Sequence, residues 1–84
     1  MSTTREELKR WLLSGTEDGF SHMAVICDTF SYEDYPFYIS TGQDPRQIIN
    51  DYLDDNKMAR LMEVYSYNRD IESQLNQPRA FNYD

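Results

Sequence analysis

Residues able to do chemistry gather in one stretch, Cys27-Asp28-Thr29-Phe30-Ser31-Tyr32-Glu33-Asp34-Tyr35-Pro36. The thiol and His22 would be the obvious nucleophile and base. If both lie on one strand, their odd separation puts them on opposite faces, and their backbones stand roughly 16 Å apart at ~3.3 Å per residue. A local Cys–His dyad is thereby excluded, and Cys27 reads as a small apolar residue. Three glycines scattered at 15, 19 and 42 make no phosphate loop. No serine-nucleophile motif appears either. Asp28, Glu33 and Asp34 are oxygen donors suited to magnesium or calcium, but their spacing fits no calcium loop and no glycine permits its turn. The chain is therefore expected to be neither an enzyme nor a metal or cofactor protein.

Binding chemistry is better supplied. Phe30, Tyr32 and Tyr35 offer rings that stack on a base, and Asp28, Thr29 and Asp34 offer hydrogen bonds to base edges. Arg46, Lys57, Arg60, Arg69 and Arg79 offer cations for phosphates, and they serve equally well as partners of surface carboxylates. A different use of the same letters is an acidic patch of Asp28, Glu33 and Asp34, extended by Asp51, Asp54 and Asp55. Such a patch would cover a basic protein surface or mimic nucleic-acid phosphates.

The elements that must position these groups follow from periodicity and turn chemistry. Residues 2–14 form a helix opened by a capping box, Thr3 with Glu6 or Thr4 with Glu7. Leu8, Trp11 and Leu12 make its apolar stripe, with Trp11 the largest core contributor, and Gly15 supplies a left-handed end. After a turn at 16–19, the apolar run His22–Cys27 reads as a central strand buried on both faces. Tyr35–Ser40 is a second strand, with Tyr35, Phe37 and Ile39 on one face and Pro36, Tyr38 and Ser40 on the other. Pro36 belongs at a strand start or edge. The link between the strands is short enough for an antiparallel hairpin.

Asp44 caps a second helix with Pro45 at its first position and Gln47 completing a capping box. Ile48, Ile49, Tyr52 and Leu53 form its apolar face. Residues 58–67 fit both periods, with Met58, Leu61, Met62 and Tyr65 at helical spacing, but the β-branched and aromatic content favours a strand over 60–66. Ser66 or Asn68 then caps a short helix, Asp70–Leu75, with Pro78 after its end. The last residues, 79–84, keep two aromatics, so they fold back on the core or dock on another subunit. The sum is one α+β domain over 1–84, a small antiparallel three-stranded sheet with helices mainly on one face, in the order α-β-β-α-β-α.

Composition sets outer limits. With 8 basic and 15 acidic residues the net charge is −7, which disfavours nonspecific DNA binding. Aromatics make up 14% of the chain, too many for a disordered acidic tail. The single cysteine allows no disulfide framework and no cysteine-rich zinc cluster. No apolar run reaches the ~18 residues of a membrane span, and no signal-peptide pattern opens the chain. So short a chain buries only about 60% of its unfolded surface, and self-association would help it.

The motifs His22–Phe30, Tyr32–Pro36, Met62–Tyr65 and the ending through Arg79-Ala80-Phe81 resemble a family of small accessory proteins of tailed bacteriophages. The similarity covers nearly the whole chain. It implies residence in the host cytoplasm and a counter-defence role, of which two sorts are relevant. One is an oligomeric sponge that sequesters a cyclic nucleotide immune signal. For such a sponge the side-chain chemistry described above, and not the resemblance, supplies Asp28, Thr29, Tyr32, Asp34, Tyr35, Arg69 and Arg79 as ligand contacts in pockets shared between subunits. The other is an acidic inhibitor of a host protein.

Overall fold

The computed structural model describes residues 4–77 and 79–83. Six elements follow the expected order: α1 (Arg5–Glu17), β1 (Phe20–Asp28), β2 (Glu33–Ser40), α2 (Pro45–Asp55), β3 (Ala59–Ser66) and α3 (Ile71–Leu75). The strands form one antiparallel sheet in the order β2-β1-β3. The apolar run of β1 is central and buried on both sides, as its composition requires. Met23 and Val25 face Leu8, Leu12, Tyr65 and Leu75, while Ala24 and Ile26 face Ile39, Ile49 and Val64. Two helices, α1 and α3, therefore lie on one face, and α2 covers the other. Each fully buried Leu or Ile contributes roughly 1.5–3 kcal/mol to this two-sided core.

Local chemistry explains where the helices begin. The Thr4 hydroxyl accepts a bond from the Glu7 amide at 3.2 Å, which selects the second of the two capping frames; Thr3 lies outside the described residues. Asp44 caps α2 by accepting from the Arg46 amide at 3.1 Å. Gln47 does not complete a capping box there, because its amide donates to Asp51 one turn along, at 2.9 Å. For α3 the cap is Asp70, whose carboxylate accepts from the Ser73 amide at 3.0 Å, in place of Ser66 or Asn68.

Two expectations about α1 are corrected. Gly15 does not end the helix, which runs on to Glu17 with Asp18 as its C-cap. The left-handed turn comes at Gly19, with φ of 75°. Gly15 is buried instead where Tyr38 and Tyr67 press against the helix and donate to the carbonyls of Trp11 and Leu12, both at 2.7 Å. Trp11 is half-buried beside the core, and the largest fully buried side chain is Tyr65.

The tail folds back. The Val64 amide donates to the Ala80 carbonyl at 2.8 Å and the Asn82 amide donates to the Val64 carbonyl at 3.0 Å, a short parallel addition to the outer edge of β3. Beside it Gln74, fully buried, accepts from the Ser66 amide and donates to the Ser66 carbonyl, both at 2.7 Å. Its side-chain amide takes the place of a neighbouring strand where the tail does not reach. On the other side of the sheet β2 is an edge strand, which is where its Pro36 can be tolerated.

Candidate functional site

One end of the sheet is built by the β1–β2 turn and the start of β3. Asp28 is paired with both Glu33 and Ala59, so the turn and the α2–β3 connection emerge together. The turn is tightly drawn. The Asp28 carboxylate accepts from the Phe30 amide at 2.9 Å, and its carbonyl accepts from the Tyr32 amide at 2.6 Å. Thr29 ties the turn to the neighbouring connection, since its amide and its hydroxyl both donate to the Met58 carbonyl at 2.7 Å. Tyr32 closes the turn with φ of 60°, a left-handed conformation that costs a non-glycine residue of order 1 kcal/mol.

These bonds turn polar groups inward and leave rings outside. Phe30 is 80% exposed, Tyr32 67% and Met58 51%, and the Thr29–Met58 bonds bring the three to one pole of the molecule. The hairpin itself carries Asp28, Glu33 and Asp34, and the end of α2, just before Met58, carries Asp54 and Asp55. Among the described residues, Lys57 and Arg60 are the cations carried by this connection and the start of β3.

The sequence-derived contacts divide. Asp28, Thr29, Tyr32, Asp34 and Tyr35 do share the pole, but three of them have structural roles. Asp28 and Thr29 shape the turn. Tyr35 shares a 2.6 Å hydroxyl–hydroxyl bond with Tyr52 of α2, and burial with that bond pushes its phenol up to about 12. Arg69 lies elsewhere: it follows Ser66, which pairs with His22 at the opposite end of the sheet. Arg79 is exposed beside Val64, five residues along β3 from the pole and thus roughly 16 Å away. Arg46 lies over the Tyr83 ring, 4.1 Å from its centre, on the α2 face. Arg60 lies at the pole, but Arg46, Arg69 and Arg79 do not join it at the hairpin within one copy.

His22 and Cys27 sit on opposite faces of β1, as their spacing requires. His22 shares the side of Ala24 and Ile26, with its Nδ1 2.8 Å from the Ser21 hydroxyl. Cys27 is flanked by Asp34 and Arg60 across the two neighbouring strands. Burial, with Asp34 beside it, raises the thiol above its ordinary value, the opposite of what a thiolate nucleophile needs. Among the described residues no group of three His, Cys, Asp or Glu side chains gathers so as to hold a metal ion. Nor is any helix among them long and apolar enough to cross a membrane.

Met58 is the contributor that sequence reasoning does not single out. It reads as one apolar position in an ambiguous run, and only the long-range Thr29 bonds bring it to the hairpin. No family model, no curated protein and no solved structure matches this chain.

Proposed function

We propose that this chain is a non-enzymatic protein-binding domain of the counter-defence kind, docking on a basic host protein through its hairpin pole. The observation that carries it is the exposure of Phe30 and Tyr32 on a turn held by the hydrogen bonds of Asp28 and Thr29. Aromatic side chains carry much of the affinity at protein interfaces, while a polar turn serves as the rigid mount. The surrounding carboxylates select a cationic partner and speed the encounter. Sequestration of a cyclic nucleotide draws less support, because Arg69 and Arg79 lie away from the rings within one copy.

The test compares the native chain with a Phe30→Ala/Tyr32→Ala double variant in affinity capture from bacterial lysate, alongside calorimetric titration with cyclic di- and trinucleotides. A protein held by the native chain and released by the double variant, with no heat from any nucleotide, is expected. Identical captured proteins from both chains, or nucleotide binding at micromolar concentration, would overturn the reading.

A further inference from the structure

We infer that the pole recognises an arginine-bearing segment of its partner, with guanidinium groups stacked on Phe30 and Tyr32 and neutralised by the surrounding carboxylates; this rests on the protein-docking reading above. Charge decides against a second copy as the occupant. The pole carries Asp28, Glu33, Asp34, Asp54 and Asp55 against Lys57 and Arg60, within a chain of net charge −7, so like poles repel. Carboxylates alone would accept any cation, and exposed ion pairs contribute little and are screened by salt.

The rings add discrimination. A planar guanidinium is weakly hydrated, stacks on an aromatic face and pairs bidentately with a carboxylate, none of which an ammonium does as well. The molecule already makes such a contact with itself, Arg46 over Tyr83 at 4.1 Å. Phe30 and Tyr32, at 80% and 67% exposure, present two more rings on the same turn that carries Asp28, Glu33 and Asp34. The tied-down turn also means that little ordering entropy is lost on binding.

The probes are hexa-arginine and hexa-lysine peptides added to the full chain, followed by amide chemical shifts and by calorimetry at low and moderate salt. Hexa-arginine is expected to bind about fivefold to tenfold more tightly than hexa-lysine, with shifts confined to the 28–34 turn and the 57–60 connection. Phe30→Ala should bring hexa-arginine down to the hexa-lysine level and leave hexa-lysine unchanged. Tyr32→Asn, which tolerates the left-handed backbone, should do the same without threatening the fold. Equal affinity for the two peptides, or shifts spread over the acidic faces of the helices, would overturn the inference. Should the peptides bind equally while the Phe30→Ala/Tyr32→Ala variant still loses its captured protein, docking stands and arginine recognition falls. Should that variant keep its captured proteins, the docking reading falls first.

Discussion

A methyl group added at position 15 would stand 2.7 Å from the Tyr38 ring and would also strike the Tyr67 hydroxyl. Alanine is the better helix former by about 1 kcal/mol, so propensity alone favours Gly15→Ala. Packing opposes it. Both tyrosines are anchored to α1 carbonyls, and moving Tyr67 breaks its 2.7 Å bond to Leu12 and strands a buried hydroxyl. Overpacking of this kind costs about 1–3 kcal/mol, and the lost bond adds about 1. Gly15→Ala is therefore expected to lower the urea unfolding midpoint, with partial recovery when Tyr67→Phe is added. A midpoint equal to or above that of the native chain would show that the helix and sheet are not held this close. The same residue shows what sequence conceals: a glycine at the end of an apolar stripe signals a helix stop, and nothing local reveals two tyrosines arriving from β2 and from just beyond β3. At the pole the concealment is similar. The letters that look most ligand-like, Asp28, Thr29 and Tyr35, shape the fold, and Phe30, Tyr32 and Met58 stay at the surface.

The strands and helices were far more legible than their partners, because hydrophobic period and capping chemistry are local signals. The two-sided apolar run of β1, the alternation of β2 and the Asp44-Pro45 start of α2 each reach the structure unchanged. The two aromatics of the tail left fold-back and subunit docking both open, and its seat could not be read, since it depends on one edge of β3 being open at Val64. That edge makes a prediction at the scale of the element. Ending the chain after Gln77 removes both bonds to Val64, the buried Ala80, and the Asn82 amide that donates to Gln74 at 3.0 Å. The two lost backbone bonds and the lost apolar contact together make a destabilisation of about 2–4 kcal/mol. Amide exchange at Val64 should rise most steeply, and the uncovered strand edge should make the shortened chain self-associate with concentration. Unchanged protection at Val64 would mean that the tail is not part of the fold.

At the scale of the whole molecule the two faces of the sheet share a tyrosine problem. Burial raises the phenols of Tyr38, Tyr65 and Tyr67 above their ordinary value of 10, and Tyr35 is pushed up to about 12. Each must therefore keep its proton in the folded chain at a pH where the unfolded chain has lost it. Above about pH 10 the unfolded state binds fewer protons than the native state, so stability falls as pH rises. The contribution of these groups is whole below that point and is lost as pH climbs through the raised values, toward about 12 for Tyr35. Because these shifts come first from burial, added salt should move the transition only slightly, by screening the repulsion of a net charge already at −7. Tyrosinate absorbance and far-ultraviolet circular dichroism followed together through alkaline pH provide the check. A cooperative loss of helix and sheet signal, coincident with the late fraction of tyrosinate absorbance, is expected. Smooth ionisation of all seven tyrosines near pH 10 in a chain that stays folded would show that the rings at the two faces are open to solvent.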